Sequence, residues 1–342
     1  MSHITVEKIG RAGVIGLDRP KALNALDLPM IEDIGAALDK FETDQDIERI
    51  VLRSNHGKAF CVGGDLRRIL ELSAAGHHAE AERFFQTEYA LNLRIASYPK
   101  PYVSLIDGMC FGGGLGLSRH GQFRIASENA VFAMPETAIG FIPDVGGSYF
   151  LPRMPHHAGY WMGLTGGRVK DFSAHALGLS THMTLASSLE NIFDALCFSE
   201  GSAQSTFEEL CGTLGYQKSV LSLAASTQCF DQPTICSIQD CLETAKSVEA
   251  KAAQKSLRSA SPRSLQEALT LLRRGAGDSL EGCLAREFDA ARRAIHHPDF
   301  AEGVRAILID KDHAPVWPSA TAAAPKRVLD RASEPFRSRA DL

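Results

Sequence analysis

The segment FAMPETAIGFIPDVGG, residues 132–147, constrains the fold of this chain more than any other stretch. It places two carboxylates, Glu136 and Asp144, among phenylalanine, methionine, isoleucine and valine residues. Burying a charge in such surroundings is costly unless the charge is paired or used. A desolvated carboxylate also titrates closer to neutrality, where acid–base chemistry operates. We therefore interpret both acids as candidates for chemistry.

Each acid also has a plain structural interpretation. Glu136 follows Pro135 and would suit a helix start, where the helix dipole favours a negative charge. Asp144 precedes Val-Gly-Gly-Ser and could cap a helix that leads into residues 149–151. The apolar neighbours favour a functional role for Glu136. For Asp144, the residues alone leave both interpretations open.

Two apolar glycine-rich segments lie upstream, AFCVGGD (residues 59–65) and GMCFGGGLGLS (residues 108–118). Glycine lets a backbone approach a ligand closely and turn its N–H groups toward it. Two such loops together with a desolvated carboxylate indicate an oxyanion hole that faces a base or a nucleophile. A lone glycine pair would favour a simple tight turn. Asp65 is interpreted as the N-cap of a helix that opens at Leu66.

The composition is that of a globular protein. The chain has 342 residues, of which 44% are hydrophobic and 23% are charged. Its net charge of −5 gives no electrostatic footprint for nucleic acid. No apolar run approaches the roughly 20 residues of a membrane span. We therefore expect neither a nucleic acid nor a membrane as a partner.

The cysteines and the N-terminus indicate a compartment. The eight cysteines are scattered in apolar contexts, and no pair shows metal-ligand spacing. We expect them to be reduced core residues and expect no bound metal. The first residues pass straight into strand-like alternation, which predicts no signal or transit segment. These observations together predict a cytoplasmic protein.

Strand and helix signals alternate through the first half of the chain and predict an α/β class. Residues 4–9 and 12–17 flank a Gly10-Arg11 turn and predict a hairpin. Asp27 is placed to cap a helix that begins at Leu28. From about residue 171 onward the signals become helical. The predicted helices there cover residues 202–226, 237–260, 264–274 and 280–296.

The three glycine and acid segments, in this order, resemble the enoyl-CoA hydratase/isomerase (crotonase) superfamily. That resemblance covers about residues 4–164. The stretch from KPYVSLIDGMCFGGGLGLSRHGQFRIA through MPETAIGFIPDVGGSYFLPRMP is similar to the 3-hydroxyisobutyryl-CoA hydrolase branch, as is DFAEGVRAILIDKDHAPVW near the C-terminus. The branch resemblance extends the match to about residue 317, weakly between residues 189 and 263.

The resemblance implies a spiral of repeated ββα turns with a helical C-terminal region. We expect a crotonase-like core that holds the active site over residues 1–200, a helical region over residues 201–317 and a tail over residues 318–342. Members of the superfamily often form trimers. The added C-terminal region could cover the trimer surface, so the sequence leaves a homo-oligomer open.

The resemblance also assigns roles to residues. The backbone N–H groups of Gly64 and Gly113 match the oxyanion hole, and Glu136 matches the catalytic glutamate. The hydrolase-like branch carries aspartate at the position of Asp144, where hydratases typically carry glycine, which favours a second functional acid. Hydratases also place a second catalytic glutamate at the position that Gly116 fills here. By this resemblance, the chain lacks one of the two glutamates that hydratases use to add water across a double bond.

A third acid and a CoA-binding loop follow from the same resemblance. Glu88 also shares a predicted helix face with Phe84, Phe85 and Leu91 by i±3 and i±4 spacing, where an acid is either paired or near a ligand. In FFQTEYALN it matches a glutamate that contacts the substrate in the hydrolase-like branch. The alternative is a boundary acid paired with Arg94 or Arg67.

The candidates for CoA contact are Lys21 and Ala22 of the RPKALNAL loop together with the backbone of Ala59 and Cys61; a surface lysine is the alternative for Lys21.

Together these matches imply an acyl-CoA thioester hydrolase. The implied substrate is 3-hydroxyisobutyryl-CoA or a close 3-hydroxyacyl-CoA, which would place the chain in valine catabolism. No metal is expected, and coenzyme A enters only as part of the substrate. Two alternatives stay open, namely an enoyl-CoA isomerase or hydratase-type enzyme and a non-catalytic acyl-CoA-binding protein on the same fold.

Overall fold

A computed structural model describes residues 3–211 and 227–318 of the chain. The chain divides into two compact units. The first, here called the sheet unit, consists of Met1–Gly64, Leu91–Phe132 and Arg168–Val220. The second, the helical unit, consists of Asp65–Ala90, Ala133–Gly167 and Leu221–Leu342. The boundaries expected at residues 200 and 317 stay predictions.

The described strands form two sheets. They are β1 (Ile4–Ile9), β2 (Ala12–Leu17), β3 (Arg49–Ser54), β4 (Ala59–Cys61), β5 (Tyr102–Ile106), β6 (Met109–Phe111), β7 (Phe123–Ser127), β8 (Val131–Ala133), β9 (Val169–Lys170) and β10 (His182–Thr184). The larger sheet has the order β1-β2-β3-β5-β7-β10, and the smaller has the order β4-β6-β8-β9. The β1–β2 hairpin is antiparallel, as predicted, and the pairs from β2 to β10 in the larger sheet are parallel.

The strand order confirms the spiral. Each of the pairs β3/β4, β5/β6 and β7/β8 gives its first strand to the larger sheet and its second to the smaller one. Among the residues that the structure describes, the α-helices of the sheet unit are Leu28–Thr43, Gly113–Arg119, Asp171–Ala176, Leu189–Phe198 and Ala203–Leu210. The apolar side chains of helix Leu189–Phe198 pack on the larger sheet, because Ile192, Phe193 and Leu196 join one buried cluster with Val14, Val51 and Val103.

The helical unit carries the helical C-terminal region that the resemblance implied. Its α-helices and π-helix are Leu66–Ala74, Gly147–Phe150, Ala158–Thr165, Ile235–Ala245, Val248–Ser259, Pro262–Gly275, Leu280–Ile295, Pro298–Val304 and Arg305–Ile309. Helix His78–Ala96 has residues in both units. No helix of residues 3–211 or 227–318 has the length and apolar character to span a membrane.

Local capping accounts for where several helices begin. The side chain of Asp27 accepts a hydrogen bond from the Met30 amide, and that of Asp65 accepts one from Arg68, so both predicted caps are confirmed. The single helix predicted over residues 237–260 is wrong. Lys246 adopts a left-handed φ of 52°, and the Ser247 side chain caps a new helix by accepting from Ala250.

The structure also bears on two other predictions, the helix over residues 202–226 and the reduced state of the cysteines. Of the helix predicted over residues 202–226, Ala203–Leu210 is helical, and residues 212–226 lie outside the described residues, as does nearly all of the tail. The expectation that all cysteines are reduced is wrong for one pair. Cys229 and Cys241 form a disulfide with Cα atoms 5.5 Å apart. Cys229 lies in the 3-10 helix Gln228–Asp231 and Cys241 in helix Ile235–Ala245, and these two elements contact each other.

Candidate active site

The backbone around Glu136 is fixed by the helical unit. Glu136 opens a short 3-10 helix, Glu136–Ile139, directly after Pro135. The carbonyl of Glu136 accepts a hydrogen bond from the Phe141 amide at 3.0 Å, and Thr137 Oγ1 donates to the carbonyl of Leu164 at 3.1 Å. These two hydrogen bonds therefore fix the turn from which the Glu136 side chain extends.

The side chain of Glu136 is buried, with 6% of its surface exposed. Its Oε2 atom finds no hydrogen-bond partner among the residues that the structure describes. Burial, and then the charge of Asp144, raise the pKa of Glu136 well above its usual value. Glu136 does lie at a helix start, as the structural alternative required. A buried oxygen left unpaired there is costly unless a ligand uses it.

Asp144 does not cap a helix with its side chain. The N-cap of helix Gly147–Phe150 is Gly146, which makes no side-chain cap. The carboxylate of Asp144 instead accepts a hydrogen bond at 2.7 Å from the hydroxyl of Tyr89, which is fully buried. Burial raises the pKa of Asp144 to about 7, against the lowering effect of the Tyr89 hydrogen bond. The capping alternative is therefore wrong.

Glu88 is the third buried acid, with 2% of its surface exposed. Within the described part of the chain, its Oε1 atom has no hydrogen-bond partner. Burial, followed by the charge of Asp144, raises its pKa well above the usual value. The proposed ion-pair partners are used elsewhere, because Arg94 pairs with Asp39 and Glu42 and Arg67 donates to the carbonyl of Leu308.

Glu287, in helix Leu280–Ile295, is a fourth buried acid that sequence analysis missed. Its carboxylate accepts hydrogen bonds from Gly146 and Ser148, in the turn that follows Asp144. Burial raises its pKa to about 8. A signal existed, because Glu287 shares an apolar helix stripe with Cys283 and Ala290. Tyr89 was also missed, since a tyrosine on an apolar stripe is typical of a core residue.

The buried acids give stability a pH dependence of known sign. The pKa of Asp144 rises from 3.8 to about 7 on folding, and that of Glu287 rises from 4.5 to about 8. Between the unfolded and folded pKa values, the folded protein therefore holds protons that the unfolded chain has released. The contribution of the two acids to stability is complete below their unfolded pKa values and is lost as the pH rises through their folded pKa values. Each full pKa unit corresponds to about 1.4 kcal/mol.

We therefore expect the free energy of unfolding to fall as the pH rises from near 4 to near 8. Asp144→Asn removes one of these acids but keeps an acceptor for the Tyr89 hydroxyl. The variant should lose less stability over the same range and should be more stable than the wild type at its alkaline end. Denaturant unfolding of both proteins at several pH values measures this. A wild-type stability that rises across the range would contradict the prediction.

The two glycine-rich loops lie together in the sheet unit. Gly64 pairs with Leu26 in an isolated parallel bridge, and Gly113 is the first residue of helix Gly113–Arg119. A Cβ atom on Gly114 would lie 2.4 Å from the carbonyl oxygen of Cys61, so only glycine lets the loops approach this closely. The structure thus brings the two candidate oxyanion glycines into neighbouring loops.

The candidate CoA-binding residues also lie in the sheet unit. Lys21 and Ala22 belong to the 3-10 helix Pro20–Ala22, and Ala59 and Cys61 are the ends of β4. The buried side chain of Asn24 links the two, because its amide group donates to the carbonyl of Phe60 at 3.0 Å. Lys21 is exposed. Residues 3–211 and 227–318 contain no group of three histidine, cysteine or acidic side chains placed to hold a metal ion.

Comparison with known proteins identifies the family to which this fold belongs. A family model described as enoyl-CoA hydratase/isomerase matches residues 12–331. The chain belongs to this family. The resemblance to the superfamily is therefore confirmed.

Three relatives similar to this chain carry the name "3-hydroxyisobutyryl-CoA hydrolase, mitochondrial". The one from Danio rerio is 39% identical over 96% of this chain and 89% of its own length. Those from Rattus norvegicus and Homo sapiens are each 40% identical over 92% of this chain and 84% of their own length. The resemblance to the hydrolase branch is thus confirmed.

Solved structures confirm the fold. An enoyl-CoA hydratase from Rhodobacter sphaeroides is 36% identical, with a TM-score of 0.86 over 93% of this chain and 92% of that one. A carnitinyl-CoA dehydratase from Mycobacterium thermoresistibile is 29% identical, with a TM-score of 0.92 over 99% of both chains.

The expected cytoplasmic location is wrong. The relatives from Danio rerio, Rattus norvegicus and Homo sapiens are all mitochondrial by name. The expectation depended on the first residues and on scattered cysteines. A targeting segment is removed from a mature protein and leaves no signature in the fold, so neither feature could decide the compartment.

Proposed function

We propose that this chain hydrolyses the thioester of a 3-hydroxyacyl-CoA, with 3-hydroxyisobutyryl-CoA as the substrate in valine catabolism. The observation that carries the proposal is the buried set of Glu136, Asp144 and Glu88, each with its pKa raised by burial. The hydrolase names of relatives at 39–40% identity support the substrate. The acyl-CoA class of substrate agrees with the family.

Glu136 supplies the chemistry in this proposal. In one route its carboxylate takes a proton from water while the water oxygen attacks the thioester carbon. In the other, the carboxylate attacks that carbon and forms an anhydride, which water then opens. In both routes the C–S bond breaks, the sulfur leaves as a thiolate, and the thiolate takes up a proton. Glu136 must be ionised to act in either way, so its raised pKa makes turnover increase with pH.

The remaining residues bind and orient the substrate. We propose that Asp144 and Glu88 hold the substrate hydroxyl or the attacking water. The backbone N–H groups of Gly64 and Gly113 are the proposed donors to the thioester oxygen, and the loss of one such donor typically costs about 3 kcal/mol of transition-state stabilisation. For CoA, the proposed contacts are the exposed Lys21, with Ala22, Ala59 and Cys61 along the loop and strand that Asn24 ties together.

A hydratase is the second candidate, because a solved structure at 36% identity carries that name. Glycine at position 116 argues against it. Gly116 lies buried in helix Gly113–Arg119, where a hydratase carries its second glutamate by the family pattern. An isomerase would need only Glu136, but it would leave Asp144 without a role. A non-catalytic binding protein would have no use for acids with raised pKa values.

The substrate hydroxyl provides a test. A site that hydrogen-bonds a hydroxyl rejects the analogue lacking it, because its buried polar groups are left unpaired. We expect kcat/KM for thiol release to be at least about 100-fold higher for 3-hydroxyisobutyryl-CoA than for isobutyryl-CoA. Release of free thiol from both esters measures this. Glu88→Gln should narrow the ratio, and equal rates on the two esters would contradict recognition of the hydroxyl.

A further inference from the structure

The turn that follows Asp144 has an unfavourable backbone conformation. Val145 has a φ of 52° and Gly146 a φ of 83°, so two successive residues are left-handed. Glycine adopts this region freely, whereas a β-branched residue such as valine is strained there. A strained conformation persists only where the surrounding structure fixes it. Something must therefore hold residues 144–148 in place.

Glu287 provides that restraint from a distant part of the chain. Its Oε2 accepts a hydrogen bond from the Gly146 amide at 2.7 Å. Its Oε1 accepts from the Ser148 amide at 2.8 Å and from Ser148 Oγ at 2.5 Å. The successive left-handed residues aim these N–H groups to one side, where both carboxyl oxygens of Glu287 accept them. The carboxylate is fully buried.

The same turn holds Asp144 at its other end. The Asp144 carbonyl accepts from the Gly147 amide at 2.7 Å, and the Asp144 carboxylate accepts from the Tyr89 hydroxyl. Asp144 is thus oriented at its side chain by Tyr89 and at its backbone by the turn that Glu287 holds. A buried carboxylate is an expensive way to fill space, because an apolar side chain often does so with equal or greater stability. Its three hydrogen bonds to this turn point to a more specific use.

We propose that Glu287 is a positioning residue for Asp144. It stabilises the strained turn through Gly146 and Ser148 and so fixes the Asp144 carboxylate against the substrate. The catalytic consequence rests on the proposed function, since it requires that Asp144 contacts the substrate. The structural part, that Glu287 holds the turn, stands on the hydrogen bonds alone.

Glu287→Gln tests the proposal with little change in shape. In either orientation of the glutamine amide, its NH₂ group faces the backbone N–H of Gly146 or of Ser148. Two donors cannot bond to each other, so one hydrogen bond to the turn is lost. We expect kcat to fall about 10- to 100-fold, since a small misplacement of a catalytic group can cost about 100-fold. We expect KM to stay within about twofold. Hydrogen exchange at the Gly146 and Ser148 amides should become faster than in the wild type.

Two further variants separate positioning from general loss of stability. Asp299→Asn makes the same chemical change at another fully buried carboxylate, which accepts a hydrogen bond from Ser261 Oγ at 2.5 Å. It should lower stability while exchange at residues 146 and 148 stays unchanged. Ser148→Ala removes one of the three hydrogen bonds and keeps both amide donors. It should lower kcat by less than Glu287→Gln and speed exchange at the same turn.

The outcomes are distinguishable. A folded Glu287→Gln protein with wild-type kcat and wild-type exchange at the turn would overturn the proposal. If that variant does not fold, Ser148→Ala decides, because unchanged kcat and unchanged exchange in Ser148→Ala would also overturn it. If the wild type releases no thiol from any 3-hydroxyacyl-CoA, the proposed function fails, whereas the exchange measurement still decides whether Glu287 holds the turn.

Discussion

Glu136→Gln is expected to reduce thioester hydrolysis by about 10³-fold or more, since general acid–base catalysis alone contributes ~10²- to 10⁴-fold. The glutamine has nearly the same shape, and the turn that carries it is fixed through the Phe141 amide and the Leu164 carbonyl. It has no carboxylate that can take a proton from water or attack a carbonyl carbon. Binding of the CoA ester should therefore be retained while the chemical step is lost.

Glu267→Gln is a matched control for this variant. Glu267 also lies in the helical unit, and its carboxylate pairs with Arg263 at 2.9 Å and with Arg293 at 2.8 Å. The same glutamate-to-glutamine change at this partly buried site should leave kcat within about twofold, because Glu267 has no part in the chemistry proposed for Glu136. For both variants, the test measures single-turnover rates at saturating substrate and the affinity for the CoA ester. Near-normal rates in Glu136→Gln would place the nucleophile or base elsewhere.

Local patterns in the sequence predicted much of the local structure. The hairpin of β1 and β2 and the caps at Asp27 and Asp65 depend on near neighbours, so alternation and capping residues were sufficient to predict them. The order of the strands depends on contacts between segments far apart in the chain. Periodicity carries no information on such contacts, and only the family resemblance implied the spiral. The helix break at Lys246 was missed because Ser247 can equally lie within a polar helix.

The candidate site shows the same division. Glu136, Asp144 and Glu88 were found because each acid lies among apolar residues in the sequence, and the structure buries all three. Glu287 carries the same signal, but its helix is also rich in exposed charges, which concealed one buried acid among them. The partners of these acids, including the Tyr89 hydroxyl on Asp144, depend on tertiary packing. The sequence names candidate acids, whereas their hydrogen-bond partners require coordinates.

The second large effect concerns the reaction itself. Addition of water across a double bond uses two glutamates in the hydratase pattern, one of which corresponds to Gly116 here. Thioester hydrolysis needs one carboxylate at the acyl carbon, and Glu136 is a buried acid whose Oε2 atom has no hydrogen-bond partner in the described part of the chain. We therefore expect the protein to release thiol from 3-hydroxyisobutyryl-CoA at least about 10²-fold faster than it hydrates crotonyl-CoA, which is the low end of the contribution of one acid–base group.

The direct measurement uses one purified sample and two substrates. Free thiol released from 3-hydroxyisobutyryl-CoA is followed with a thiol reagent, and loss of the crotonyl-CoA double bond is followed by its ultraviolet absorbance. Hydrolase chemistry at Glu136 predicts rapid thiol release that Glu136→Gln abolishes, with hydration slow or absent. Rapid hydration of crotonyl-CoA without thiol release from the hydroxy ester would contradict the proposed function.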